Sequence, residues 1–284
     1  MGTASGRAVV IGLLAVLVSL PVHAEPARIV SMGLCTDQLV MLLADPDDIV
    51  SVHWVTQDAD DSAMASRAAR YVANHGLAEE VLELRPSLVF AEATNSPLAI
   101  AMLQRQGIRV VTVPVANTFD GVRRNIRLVA KALGRKAEGE AAVASFDAAL
   151  ARTRNALKGL HMRALVYGAN GFSAGVPSLF NDVLEHVGLT NIAGRPGMAG
   201  WVSMSVEDVL RAQPDLLVLG EYRPGAPSEA NLVLEHPALQ SLRRTRPVVQ
   251  VPTNLWNCGT PFVAQAAAEL VERVGRAVAR GSDR

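Results

Sequence analysis

The chain has 284 residues, 50% of them hydrophobic, and its 27 basic and 27 acidic side chains give a formal net charge of zero. This balance leaves no basic stripe for a nucleic acid, and the length suffices for one large domain or two ordinary ones. The 2 cysteines are too few for a disulfide scaffold.

The N-terminus has the pattern of a secretory signal peptide. A basic residue, Arg7, precedes an apolar run from Ala8 to Leu20, and small residues follow it up to Ala24. We therefore expect residues 1–24 to be a signal peptide that is cleaved after Ala24. The apolar run is shorter than the roughly 20 residues of a membrane helix, and no cysteine stands at the cleavage step. We predict a periplasmic protein without a lipid anchor.

The first half alternates short apolar runs with helical patterns. In chain order we predict strand 28–31, helix 37–43, strand 49–53, helix 77–85, strand 87–91, helix 97–106 and strand 109–114. Pro86 separates a helix from the strand after it, because proline lacks a backbone donor and disfavours a helical conformation in its predecessor. The apolar run after Pro86 is typical of a strand that is buried on both faces.

A helical stretch is predicted over residues 119–160, with one break near Gly134. Its second part, residues 137–160, is rich in alanine and contains no proline, which favours one continuous helix. About 22 residues would span roughly 33 Å. The helix either packs on one sheet or connects two lobes, and its place between the two halves of the chain favours the connection.

The second half repeats the order of the first. We predict strand 164–167, helix 179–188, a helix and a strand within 206–219, and strand 248–252. The segment SVEDVLRAQPDLLVLG at 205–220 repeats the pattern LAEEVLELRPSLVFA at 77–91. Alternating strands and helices predict parallel sheets with right-handed crossovers. The predicted fold is α/β, with two Rossmann-like lobes, residues 25–118 and 161–284, whose sheets are flanked by helices and which one long helix joins.

Ligands of parallel α/β sheets bind beyond the carboxyl ends of the strands, so we expect a cleft where the two lobes face each other. Aromatic side chains are candidates for binding a ligand there: Trp54, Phe172 and Trp256 come at or after the ends of predicted strands, and Trp201 precedes the helix that begins near Val206. Such rings suit a large, flat, apolar molecule, although core packing would also explain them.

Cys35 and Cys258 are both predicted on loops after strands, one in each lobe and close to the cleft. Three interpretations are open for this pair. The cysteines form a disulfide across the cleft, as is common in an oxidising compartment; they are two separate small buried residues; or they are soft ligands that contact a bound metal. The histidines show no metal-ligand spacing, and we predict neither a metal site nor a cofactor of the protein's own.

The order and spacing of these patterns resemble the periplasmic substrate-binding proteins of ABC importers for vitamin B12, ferric siderophores and haem. The resemblance covers essentially the whole mature chain and rests on RIVSMGLCTDQL at 28–39, WVSMSVEDVL at 201–210, the mid-chain helix and the paired helix-proline-strand patterns. It implies two lobes joined by a rigid helix, a monomer, and an ABC permease dimer as partner. It also implies a metal chelate, a ferric siderophore or a corrinoid, in the cleft.

The same resemblance implies roles for individual residues. In members that bind vitamin B12, aromatic residues near the positions of Trp54, Phe172 and Trp201 flank the corrin. The aromatic residue usual ahead of the first docking helix is replaced here by Ala73, with Tyr71 nearby.

One glutamate at the tip of each lobe docks into arginines of the permease in this family, and the matching residues are Glu79 and Glu207. A carboxylate takes the guanidinium of arginine in a bidentate pair, which suits such docking. A local role is the alternative. Ser205 and Asp208 have the spacing of a capping box, and an acidic residue in the first helical turn stabilises the helix without any partner.

A secreted serine hydrolase is the alternative function. Residues 171–175 read GFSAG, which fits the nucleophile pattern G-x-S-x-G, and Ser173 precedes Asp215 and His236 in the order of an α/β-hydrolase triad. The predicted strand ends well before Ser173, however, and Pro177 prevents a helix directly after it. We therefore favour a binding protein over an enzyme.

Overall fold

The computed structural model describes residue 2 and residues 27–194, 200–220 and 229–282. Apart from residue 2, the predicted signal peptide and its cleavage site lie outside the described residues, and they stay predictions. None of the helices within the described ranges is long and apolar enough to cross a membrane.

The first lobe is built on five strands and four helices. The strands are β1 (Ile29–Ser31), β2 (Ile49–His53), β3 (Val72–Asn74), β4 (Leu88–Glu92) and β5 (Arg109–Val113). The helices are α1 (Leu34–Leu43), α2 (Ala65–Ala68), α3 (Ala78–Glu83) and α4 (Pro97–Arg105). All strands are parallel, in the order β3-β2-β1-β4-β5. Val30 and Phe90 are fully buried, as expected for central strands with both faces covered.

Two antiparallel helices follow the first sheet: α5 (Phe119–Ala132) and α6 (Lys136–Ala151). Between them Gly134 has φ of 76°, in the left-handed region that glycine adopts without steric cost, and this confirms the predicted break. Ion pairs join the two helices along their length: Arg123–Asp147 at 2.7 Å and Arg127–Glu140 at 2.8 Å.

The helix α6 is shorter than predicted, since it has 16 residues and ends at Ala151. The backbone N–H groups of Asn155 and Leu157 donate to the carbonyl oxygens of His186 and Val187, at 2.8 and 2.7 Å. These bonds replace the i→i−4 bonds that would continue the helix. The prediction of a continuous helix over 137–160 is therefore wrong, and α6 itself spans about 24 Å.

The helix α6 passes from one lobe to the other. Just before its start, Arg135 lies 3.5 Å from Asp45 of the first lobe. Near its end, the carbonyl oxygen of Leu150 accepts a hydrogen bond of 2.8 Å from Nε2 of His186 in the second lobe. Of the two interpretations of the mid-chain helix, these contacts support the connection.

The second lobe is built on a parallel sheet and a separate antiparallel pair. Its strands are β6 (Arg163–Gly168), β7 (Phe172–Ala174), β8 (Thr190–Asn191), β9 (Trp201–Ser203), β10 (Leu216–Gly220) and β11 (Val248–Gln250). Its helices are α7 (Leu179–Val187), α8 (Val206–Ala212), α9 (Pro237–Thr245) and α10 (Val263–Ser282). The parallel sheet has the order β11-β10-β6-β8, and β7 pairs with β9.

The two parallel sheets share one strand order. Reading β11-β10-β6-β8 against β5-β4-β1-β2 pairs each strand with its counterpart, so the predicted repetition of the lobes is confirmed. The strands that follow the two prolines, β4 and β10, each lie next to the first strand of their lobe. Within the part of the chain that the structure describes, β3 has no counterpart in the second sheet.

One hydrophobic core cluster runs through both lobes. Ile126 from α5, Phe146 and Leu150 from α6, and Leu270 from α10 are all buried and belong to the same cluster as residues of both sheets. Because separating the lobes would expose this shared apolar surface to water, the lobes are held together firmly.

Candidate functional site

The carboxyl ends of both parallel sheets border one cavity of about 280 Å³ with a mainly apolar lining. Its walls include Thr36, Glu92 and Val115 of the first lobe and Phe180, Trp201 and Trp256 of the second. This is where parallel α/β sheets bind ligands. The volume lies just below the range of about 300–1,000 Å³ that is usual for small-molecule pockets.

Aromatic rings form a continuous wall on the side of the second lobe. The ring centroid of Trp201 lies 4.1 Å from that of Phe172 and 5.9 Å from that of Phe180. Phe180 in turn lies 4.5 Å from Trp256. Trp201 is 66% exposed and Trp256 only 1%, so the wall leads from the rim of the cleft into the core.

The predicted aromatic residues differ in their relation to the cavity. Trp201 and Trp256 line it, whereas Phe172 packs behind Trp201. Phe180 was not predicted. The sequence feature that could have indicated Phe180 is the helix cap at Ser178. The side chain of Ser178 accepts from the N–H of Asn181, and α7 therefore starts at the carboxyl edge of the sheet.

An antiparallel strand pair brings Phe172 and Trp201 together. In the register of β7 and β9, Phe172 pairs with Ser203 and Ala174 pairs with Trp201. Gly171, with φ of 73°, starts the turn into β7, and a Cβ there would lie 2.6 Å from the carbonyl oxygen of Met204. Only glycine fits this close approach.

Trp54 lies on the first lobe and is not among the residues that line the cavity. It is 45% exposed, and its ring is 6.0 Å from that of His53 and 6.2 Å from that of His75. Burial lowers the pKa of His53.

Among the residues that the structure describes, no group of three or more histidine, cysteine, aspartate or glutamate side chains is arranged to hold a metal ion.

A disulfide joins the two lobes beside the cavity. It links Cys35 in α1 to Cys258 after β11, with 5.2 Å between the Cα atoms and a sequence separation of 223. Cys35 lines the cavity, and Cys258 is buried behind it. The interpretation as a disulfide is confirmed. The other two are wrong, because sulfur atoms that are bonded to each other are neither separate nor thiolate ligands.

Hydrogen bonds around the disulfide hold the loop after β11 against the first lobe. All three run from side chains of this loop: Asn254 Nδ2 to Ala59 O at 2.8 Å, Asn257 Nδ2 to Asp61 O at 2.9 Å, and Thr260 Oγ1 to Gln38 Oε1 at 3.0 Å. Thr260 and Gln38 are fully buried, where a hydrogen bond lost without replacement is costly. We refer to residues 253–260 as the clamp loop.

Glu92 closes the other side of the cavity at the end of β4. Its Oε1 accepts from the backbone N–H groups of Cys35 at 2.6 Å and Thr36 at 3.4 Å. These are the first turn of α1, which explains why that helix begins at Leu34 rather than at Asp37 as predicted. The sequence analysis missed Glu92, which directly follows the predicted strand 87–91.

Glu79 and Glu207 occupy corresponding positions of the two lobes. Each is exposed and lies in the first turn of the helix, α3 or α8, that precedes β4 or β10. The capping box of Ser205 and Asp208 is present as predicted. Hydrogen bonds to its own backbone N–H and to Ser205 lower the pKa of Glu207. Glu79 makes no side-chain hydrogen bond or ion pair within the described residues, whereas Glu80 binds His75.

Ser173 is not arranged as a nucleophile. It is fully buried, and its Oγ donates to the carbonyl oxygen of Val166 at 2.8 Å. The other residues of the hypothetical triad have local roles, since Asp215 accepts from the backbone of Arg163 and His236 caps α9. The hydrolase interpretation is therefore wrong.

Comparisons with known proteins agree on one family. Residues 29–247, most of the chain, match the family model described as periplasmic binding protein. A cobalamin-binding protein of Halobacterium salinarum is 22% identical over 259 residues, which are 89% of this chain and 70% of that protein. An uncharacterized ABC transporter substrate-binding lipoprotein of Bacillus subtilis, YvrC, is 24% identical over 268 residues, covering 88% of this chain and 80% of that protein.

Among solved structures, the periplasmic heme-binding protein RhuT of Roseiflexus sp. RS-1 in its apo form superposes with a TM-score of 0.73. The two chains are 22% identical, and the match covers 89% of this chain and 99% of that one. At this identity the likeness shows the shared fold.

Proposed function

The chain belongs to the periplasmic binding protein family, and from this membership we propose that it is the solute-binding protein of an ABC importer. Its ligand in this proposal is a metal chelate, a ferric siderophore or a corrinoid, which it captures between its lobes and delivers to a permease. Members of the family bind and present solutes for transport rather than catalyse reactions.

The observation that carries the proposal is the aromatic wall of the inter-lobe cavity. Phe180 and Trp201 line the cavity on the side of the second lobe, and the lining around them is mainly apolar. Large planar or apolar chelates gain much of their binding energy from contact with aromatic rings. Part of the ligand enters the cavity of about 280 Å³, while exposed Trp201 covers the part that projects from it.

Binding in this proposal requires little movement of the lobes. The lobes correspond to residues 25–118 and 161–284, with the helical segment 119–160 between them. The shared hydrophobic core, α6 and the disulfide all resist separation of the lobes. We therefore expect the ligand to bind without a large separation of the lobes.

Delivery uses one acidic residue of each lobe. Glu79 and Glu207 dock as carboxylates into arginines of an ABC permease dimer, whose two-fold symmetry requires one such group from each half of a monomeric binding protein. Export through the predicted signal peptide 1–24 brings the protein to the same side of the membrane as its ligand. The family membership and the relative named as an ABC transporter lipoprotein support this location.

Tryptophan fluorescence tests the proposed function. The exported protein is titrated with cyanocobalamin, dicyanocobinamide, ferrichrome, ferrioxamine B, ferric enterobactin and haemin. We expect saturable quenching with one site by at least one chelate, because Trp201 lies on the wall of the cavity. If no chelate quenches the fluorescence or shifts the melting temperature, the proposal is wrong.

The variant Trp201→Ala is expected to weaken binding of the best chelate about 30-fold, because truncating a large aromatic side chain that contacts a ligand costs about 2 kcal/mol. Calorimetry measures the affinity without relying on the removed fluorophore. Leu160→Ala is the matched control, since Leu160 is also an exposed apolar residue, at 39%, but precedes the opposite edge of the second sheet. Equal effects of the two substitutions would contradict a specific role for Trp201.

A further inference from the structure

The N-terminus of α1 opens towards the cavity, and Glu92 already occupies it. A free helix N-terminus attracts anions, because its first N–H groups lack partners and carry partial positive charge. Here Oε1 of Glu92 accepts from Cys35 and Thr36, and Oε2 accepts from the hydroxyl of Thr94 at 3.1 Å. The position at which a ligand carboxylate would bind is thus taken by a carboxylate of the protein.

Glycine at position 33 makes this arrangement possible. A Cβ on Gly33 would lie 2.6 Å from Cδ of Glu92, so no larger residue leaves room for the carboxylate over the helix start. Glu92 is further held by its own backbone, whose N–H donates to Oδ1 of Asn95 at 2.7 Å. Its position is therefore well defined.

Glu92 is the one charged side chain among the described residues that line the cavity. The rest of the polar lining consists of neutral groups such as Asn117, Asn125 and Ser178. The charge of Glu92 also affects the pKa of Asp37 and of His53. Burial raises the pKa of Asp37 well above its usual range, and Glu92 raises it further, while burial lowers the pKa of His53 against the opposite effect of Glu92.

We infer that Glu92 makes the cleft selective for the charge of the ligand. The cleft binds neutral or cationic chelates more tightly than anionic ones. This inference rests on the proposed function and narrows its ligand class. Corrinoids and ferric hydroxamates are neutral or cationic and meet the requirement. Haem, with its two propionates, and ferric catecholates, with several negative charges, bring like charge towards Glu92 in a site of low polarity, where repulsion is strong.

The variant Glu92→Gln tests the inference. Glutamine has the same shape, and its amide oxygen can still accept from the first turn of α1, so the helix start is preserved while the charge is removed. Ferrichrome (neutral), ferrioxamine B (cationic), ferric enterobactin and haemin (both anionic) are titrated into both proteins. We expect affinity for the anionic chelates to rise about tenfold relative to ferrichrome, and affinity for ferrioxamine B to fall.

Two further variants separate charge from helix capping. Glu92→Asp keeps the charge on a shorter side chain and is expected to keep discriminating against anions. Glu83→Gln removes the charge of an exposed glutamate in α3 and is expected to change no affinity more than about twofold, given screening by solvent.

The outcomes distinguish this inference from the proposed function. If chelates bind but Glu92→Gln leaves the ratio of anionic to neutral affinity unchanged, Glu92 serves only as a helix cap and the inference is overturned. Tighter binding of haemin or ferric enterobactin than of ferrichrome by the unchanged protein would also overturn it. If no chelate of any charge binds, the proposed function itself fails.

Discussion

Replacing Glu79 and Glu207 together by alanine is expected to abolish uptake of the bound chelate while leaving its affinity for the protein unchanged. Both glutamates are exposed in first helical turns, and neither lines the cavity. Loss of one partner from a buried interfacial ion pair costs roughly 2–5 kcal/mol, so each single variant should bind the permease at least about 30-fold more weakly. Uptake by cells that depend on this protein, together with permease pull-down, measures the effect.

A matched control replaces one exposed glutamate of each lobe at a position away from Glu79 and Glu207. Glu83→Ala combined with Glu185→Ala makes the same change in charge outside the first turns of α3 and α8, and it should leave uptake intact. If Glu207 only stabilises the start of its helix, its substitution would lower the melting temperature slightly and would leave permease binding unchanged. Normal uptake by the double variant of Glu79 and Glu207 would refute the docking proposal.

Among the variants proposed for this protein, removal of the inter-lobe disulfide is expected to cause the largest decrease in the free energy of unfolding. The bond closes a loop with a sequence separation of 223. The chain-entropy account gives about 5 kcal/mol for a loop of that length, and measured values are typically 2–4 kcal/mol. For a protein of this size, we expect Cys35→Ala with Cys258→Ala to lower the melting temperature by about 5–15 °C.

Reductant provides the control for this prediction. The melting temperature of the unchanged protein should fall in reductant towards that of the double variant, and the double variant should not respond. Hydrogen exchange of the clamp loop should rise in the double variant, because its covalent link to the first lobe is lost while its hydrogen bonds and packing remain. Equal melting temperatures of the two proteins without reductant would contradict a stabilising bond between the lobes.

The architecture could be predicted because it depends on local patterns that recur. The two helix-proline-strand segments identify β4 and β10, and their repetition gives the shared strand order. The end of α6 was not predictable, because it depends on hydrogen bonds to His186 and Val187, more than 30 positions away. Alanine-rich sequence favours a helix but does not decide where tertiary contacts end it.

The parts of the site that depend on local sequence were predicted, and the parts that depend on tertiary contacts were not. Trp201 and Cys35 line the cavity, and the sequence showed that Cys35 follows a strand and that Trp201 precedes a helix of the second lobe. The pairing of β7 with β9 joins segments that no short hairpin turn connects, so the contact of Trp201 with Phe172 was not foreseen. Glu92 was missed because a carboxylate after a strand shows its function only when the start of another helix lies against it.

Hydrogen–deuterium exchange with the tightest-binding chelate of the panel tests most directly whether the ligand lies between the lobes. We expect slower exchange on both walls at once, in segments 92–94 and 113–117 of the first lobe and 178–180 and 201–203 of the second, with little change at α9. Protection confined to one lobe, or centred away from these segments, would contradict capture in the inter-lobe cleft.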